Sequence, residues 1–169
     1  PVLDELVQID PIFVPDHWAI IGGMDFGYDH PFAAVECAWD RDTDIFYVIR
    51  EFRQRMTTPA DHCQVIRKWG DTYWVWPHDG YQHDKGSGIQ LAKQYKNNGL
   101  HIHPSHVTFD DGTNGVEAGI FDMLTRMNEG RWKVFSTCPQ WMEEFRLYHR
   151  KEGLIVPVMD DLICASRYA

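Results

Sequence analysis

The chain has 169 residues, enough for one domain and too few for two ordinary ones, and 44% of them are apolar, so a sizeable core is attainable. No run approaches the ~18 uninterrupted apolar residues of a membrane helix, and no basic stretch followed by an apolar one marks a secretory signal. The formal net charge of −9 argues against a stand-alone, nonspecific DNA-binding module. It does not argue against an enzyme that clusters carboxylates around divalent cations, because the bound ions reverse the local sign.

Residues 1–18 hold Pro1, Pro11 and Pro15 with acids between them and read as an extended lead-in. The chain opens without an initiator Met, and Arg167-Tyr168-Ala169 reads as a helix in progress, so a piece of a longer protein is expected. The domain proper is then 19–169. Ala19 to Asp25 is apolar and ends in Gly22-Gly23-Met24-Asp25, a buried first strand with a carboxylate near its end. Phe32 to Trp39 and Ile45 to Phe52 are the second and third strands. The polar turn Asp40-Arg41-Asp42-Thr43-Asp44 joins them into an antiparallel meander.

Thr57-Thr58-Pro59 is a helix start, with a hydroxyl cap and then Pro in the first turn, and Gly70 stops that helix after Trp69. Tyr73 to Trp76 is a short aromatic strand. Ser87 to Asn97 is a helix closed by Asn98-Gly99, and Leu100 to His103 a short strand. Asn114 to Glu129 is helical, with Val116, Ile120, Met123, Leu124 and Met127 near helical spacing. Trp132 to Phe135 is a strand, Gln140 to Arg150 a helix, and Asp160 to Ala169 a last helix with two acids in its first turn. A meander followed by alternating helix and strand is the RNase H-like plan, an α/β fold with one mixed central sheet flanked by helices.

In such a sheet the first and fourth strands are neighbours. Asp25 and Asp79 would therefore come together, and the last helix packs across that region with Asp160 or Asp161. Phosphodiester hydrolysis needs such a cluster. Two divalent cations about 4 Å apart can activate water and stabilise the leaving oxygen, and Mg²⁺ and Mn²⁺ prefer carboxylate oxygens. Taken singly, Asp79-Gly80 is also an ordinary turn and Asp160-Asp161 an ordinary helix start. No P-loop pattern occurs, so a P-loop ATPase is excluded from this chain.

The remaining polar groups read more blandly. Cys37, Cys63, Cys138 and Cys164 have no metal-ligand spacing and are small hydrophobes of a reducing setting. Arg50, Arg53, Arg55, Arg67 and Lys68 read as a solvated face, with phosphate contact as the alternative. His101, His103 and His106 read as surface histidines rather than zinc ligands. Trp69, Trp74, Trp76, Trp132 and Trp141 are expected in the core.

Gly23-Met24-Asp25-Phe26-Gly27-Tyr28-Asp29-His30-Pro31 resembles the first nuclease motif of tailed-phage terminase large subunits, particularly of headful-packaging podophages. Pro77 to Gly88, containing His78, Asp79, His83, Asp84 and Lys85, looks like their second motif, and Asp160 to Ala169 like their third. The lead-in Ile12 to Trp18 resembles the segment that joins ATPase and nuclease domains. The resemblance implies an RNase H-like endonuclease that cuts concatemeric viral DNA during genome packaging, with two Mg²⁺ or Mn²⁺ ions held by Asp25, Asp79 and one of Asp160 and Asp161. His78 and His83 flank Asp79 and read equally as groups that orient a ligand or water and as polar loop residues; Asp84 and Lys85 lie in the same motif, with Lys85 a candidate phosphate contact. Cys164 stands where many relatives carry a further Asp. Adjacent helical residues differ by about 100°, so one of Asp160 and Asp161 faces the metals, and Asp160 is preferred. The implied partners are double-stranded DNA, a missing N-terminal ATPase domain, the portal protein and the small terminase subunit. The implied setting is the host cytoplasm, transiently at the procapsid portal, with no membrane. Two other readings stand beside it: a resolvase- or transposase-type nucleotidyl transferase using the same acids, and a non-catalytic docking domain.

Overall fold

A computed structural model describes all residues except 1, 27–30, 77–87, 105–115, 148, 152–153, 157–161, 163–164 and 167–169. The elements, in chain order, are α1 (Val2–Val7), β1 (Gln8–Ile9), β2 (Ala19–Asp25), β3 (Phe32–Asp40), β4 (Ile45–Gln54), α2 (Pro59–Ile66) with a 3₁₀ turn (Arg67–Trp69), β5 (Tyr73–Val75), α3 (Gly88–Asn97), β6 (His101–Ile102), α4 (Val116–Asn128), β7 (Trp132–Phe135), α5 (Pro139–Leu147), β8 (His149–Lys151) and β9 (Leu154–Val156). Beyond them Leu162, Ala165 and Ser166 are helical.

The main sheet has seven strands in the order β1-β7-β4-β3-β2-β5-β6. The β2-β3-β4 meander is antiparallel, and β5, β6, β7 and β1 join it in parallel. The turn between β3 and β4 is built by its acids. Asp40 accepts from the Asp42 amide and the Thr43 hydroxyl, Trp39 Nε1 donates to Asp44, and Asp44 takes a positive φ of 54°. Thr58 caps α2 in a reciprocal capping box with Asp61, and Gly70, at φ 114°, ends the 3₁₀ turn. The helix starts and stops therefore fall where their local chemistry puts them.

Two cores lie on opposite faces of the sheet. One gathers Ala33, Val35, Cys37 and Val48 under Met123, Met127, Trp141, Met142, Leu162 and Ala165. The other gathers Met24, Phe32 and Ala34 with Ile66, Trp74, Trp76 and Tyr95. Trp74, Trp76, Trp132 and Trp141 are buried, as are Cys37, Cys63 and Cys138, in line with the sequence reading.

Two segments differ from expectation. The lead-in is not extended throughout: residues 2–7 form a helix and Gln8–Ile9 add an edge strand to β7, with Ser136 donating its amide to the Ile9 carbonyl. Val7 is wholly buried, and Trp18 stacks on Tyr47 with ring centroids 5.0 Å apart. Pro11 and Pro15 shape only the stretch that follows β1. The helix expected to reach Arg150 ends at Leu147, and His149–Lys151 pairs instead with Leu154–Val156 as a separate two-stranded hairpin. The β-branched Ile155 and Val156, set opposite Arg150 and His149, favour pairing over a further helical turn.

Gly22 serves packing. It pairs with Trp74 across β2 and β5, and a Cβ placed there would overlap ring atoms Cε3, Cδ2 and Cζ3 of that buried indole. Gly22→Ala is therefore expected to destabilise the chain by about 1–3 kcal/mol through overpacking. Urea unfolding checks this, and an unchanged midpoint would mean that the indole finds another seat.

Candidate active site

Strand register fixes where the first acid sits. Asp25 ends β2 and is half-buried. Its neighbour Met24 belongs to the core with Trp74 and Trp76, so alternation turns Asp25 to the opposite face, the one covered by α4, α5, Leu162 and Ala165. Asp25 is paired with Ala33, and Ala33 with Arg53. Paired residues share a face, so Asp25, Ala33 and Arg53 form one row, the outer two roughly 10 Å apart at two strand spacings. Ala33 leaves the space between them low.

The neighbouring strand arrives at the same edge. Gly23 is paired in parallel with Val75, so β2 and β5 end side by side, and the rings of Phe26 and Trp76 just beyond have centroids 6.1 Å apart. The predicted adjacency of the first and fourth strands holds. Behind this edge Phe26 stacks on Tyr95 at 5.2 Å. The Tyr95 hydroxyl shares a 2.8 Å hydrogen bond with His62 Nδ1, whose Nε2 shares one of 2.7 Å with Thr57, while Phe32 stacks on the imidazole at 3.9 Å.

Burial pushes His62 down to about 4, against a weaker upward pull from Asp61. Because the folded value lies below the ordinary 6.5, the neutral ring's contribution to stability is complete above pH 6.5 and is withdrawn as pH falls toward about 4. The melting temperature of the parent is expected to fall more steeply across that window than that of His62→Gln. Parallel curves would mean that the imidazole is free to charge.

On Asp25's face, a buried ion pair sits at the far end of the row. Arg53 Nη1 donates to Glu144 Oε2 of α5 at 2.7 Å, with the two side chains 13% and 0% exposed. Glu144 Oε1 accepts the Leu162 amide at 2.7 Å. One turn later Trp141 Nε1 donates to Ser166 Oγ at 2.8 Å, and Ser166 Oγ donates to the Leu162 carbonyl. Nearer the middle of β4, Glu51 accepts the amides of Gln140 and Trp141, seating the start of α5 on the same face. Desolvation raises the Glu51 carboxyl, and the two amide hydrogen bonds pull it the other way.

Among the sequence-predicted site residues, Asp25 is described, and His78, Asp79, His83, Asp84, Lys85, Asp160 and Asp161 lie outside the described residues. Among the described residues no three acidic, His or Cys side chains group as a metal site. Of the basic residues, Arg55, Arg67 and Lys68 are exposed as read, whereas Arg53 is largely buried in an ion pair with Glu144, and Arg50 pairs with Glu36, which also accepts from Thr72. His101 lies 3.0 Å from Asp71 on the surface. Glu144 and its bond to Leu162 were missed by sequence reasoning. The signal was an acid three residues after Trp141, on the apolar face of an amphipathic helix.

An antiparallel meander extended by parallel strands, with helices on both faces, defines an RNase H-like domain. Residues 22–169 match the family described as the terminase RNaseH-like domain, and the chain belongs to that family. It is 44% identical over 167 residues to the terminase large subunit of Salmonella phage P22, covering 98% of this chain and 34% of that protein. The chain therefore spans about a third of that subunit's length. It superposes on the solved nuclease domain of the P22 large terminase with a TM-score of 0.92 and 44% identity, covering 98% of this chain and 86% of that one. The nuclease domain of the SPP1 g2p large terminase, solved with bound Mn, shares the fold at a TM-score of 0.65 and 21% identity, covering 96% and 93%.

Proposed function

We propose that this chain is a metal-dependent DNA endonuclease domain that cuts concatemeric viral DNA during genome packaging. The observation that carries the reading is the placement of Asp25: a half-buried carboxylate at the end of β2, beside the end of β5 and on the sheet face that buries Leu162 and Ala165. Asp79 follows β5 by four residues, and Asp160 and Asp161 immediately precede Leu162.

The donor set fits hard divalent cations. It consists of carboxylates, while the described cysteines are buried in cores and the exposed His101 pairs with Asp71. Asp25, Asp79 and one of Asp160 and Asp161 would hold two Mg²⁺ or Mn²⁺ ions, which supply an activated water and charge stabilisation at the phosphoryl group. The protein's share is to bring these acids together, where unneutralised they would repel, with Asp25 fixed at the end of a sheet strand. His78, His83 and Asp84 are assigned to orienting ligands or water, and Lys85 to a phosphate oxygen.

With a net charge of −9, the domain binds double-stranded DNA weakly by itself. The ATPase domain, the portal and the small terminase subunit hold the substrate at the procapsid in the host cytoplasm. Among the described residues no helix is long and apolar enough to cross a membrane.

Supercoiled plasmid incubated with the 169-residue chain and Mn²⁺ is expected to be nicked or linearised, and EDTA to stop it. Strand transfer or junction-selective cutting would favour a transposase- or resolvase-like enzyme. Absence of both cleavage and Mn²⁺ binding would favour a docking domain.

A further inference from the structure

The geometry points to Glu144 as a positioning residue, whose Oε1 holds the Leu162 backbone amide and so sets the place of the chain directly after the third-motif acids. The inference rests on the reading that Asp160 or Asp161 is a ligand, and it concerns how that ligand is placed.

Three observations converge. First, Glu144 is completely buried and spends its two oxygens on different elements: Oε2 on Arg53 of β4, and Oε1 on the Leu162 backbone amide. A buried carboxylate demands such partners. Here one of them is the amide one residue after Asp161. Second, α5 grips the same segment again one turn on, through Trp141 Nε1 and Ser166 Oγ. Two bonds four residues apart fix Leu162 and Ser166 against α5 in rotation as well as translation. Third, Arg53 occupies the row of Asp25 across Ala33. The sheet position beside Glu144 is therefore in register with Asp25, and the contacts run from that row to the Leu162 amide.

Two double variants separate positioning from bulk stability. Arg53→Met with Glu144→Gln removes the ion pair, leaves no buried charge, and keeps a carbonyl oxygen for the Leu162 amide. Arg53→Met with Glu144→Leu removes that oxygen too. Mn²⁺ dissociation constants by calorimetry, metal-free melting temperatures and the hydrogen-exchange rate of the Leu162 amide are measured on both.

The Gln variant is expected to stay within about threefold of the parent in Mn²⁺ affinity and to keep the amide protected. The Leu variant is expected to lose about tenfold or more, the range typical of groups that orient ligands, at a similar melting temperature. Equal Mn²⁺ affinity in the two variants overturns the inference. So does a Gln variant that keeps Leu162 protected yet loses affinity more than tenfold, which decides the matter even if the Leu variant fails to fold. A parent that binds no Mn²⁺ overturns instead the metal-site reading on which the inference rests.

Discussion

Asp25→Asn is expected to reduce Mn²⁺-dependent plasmid cleavage by about a thousandfold or more while leaving the melting temperature within a few degrees of the parent. The substitution keeps the size of the side chain and removes its charge. A carboxylate that binds a catalytic cation contributes several kcal/mol to stabilising the transition state, and each 1.36 kcal/mol is about a factor of ten in rate. Asp25 ends its strand half-buried, beside Phe26 and opposite Ala33. An amide of the same size is accommodated there without a cavity. A variant that cleaves at a tenth of the parent rate would exclude Asp25 as a ligand. One that loses activity together with most of its stability would make the residue structural.

Arg53→Met is expected to lower stability by about 3–5 kcal/mol, the cost of stranding one member of a buried pair. For a chain of this size that is roughly a 10 °C fall in melting temperature. Arg50→Met provides the contrast. Its side chain is 48% exposed, and its partner Glu36, though buried, keeps the hydrogen bond from Thr72. The expected loss there is about 1 kcal/mol or less. Thermal melts of both variants decide the point, and equal losses would contradict the assignment of Glu144 as the committed, desolvated carboxylate.

The parts of the molecule legible in the sequence were those governed by local chemistry. The capping box at Thr58 and Asp61, the stop at Gly70, the acidic turn before β4 and the strand Trp132–Phe135 each announce themselves within a few residues. From their order followed the neighbouring of β2 and β5, and so the edge on which Asp25 lies. Sequence reading failed where partners are distant. Nothing near Arg53 indicates that its partner is 91 residues away on α5, so it read as a solvated cation. The β8–β9 hairpin was hidden because Trp141, Met142 and Phe145 carry a helical period up to its edge. The lead-in was misread because the docking of Val7 and the pairing of Ile9 with Phe135 are long-range events, whereas the prolines are local ones.

The most direct test of the central claim is a crystal of the chain soaked in Mn²⁺, with anomalous scattering used to locate the ions. The account predicts two peaks about 4 Å apart, one within roughly 2.2 Å of an Asp25 carboxylate oxygen, with Asp79 and one of Asp160 and Asp161 completing the ligands. Mn²⁺ at other sites only, with Asp25 away from all of them, would contradict it.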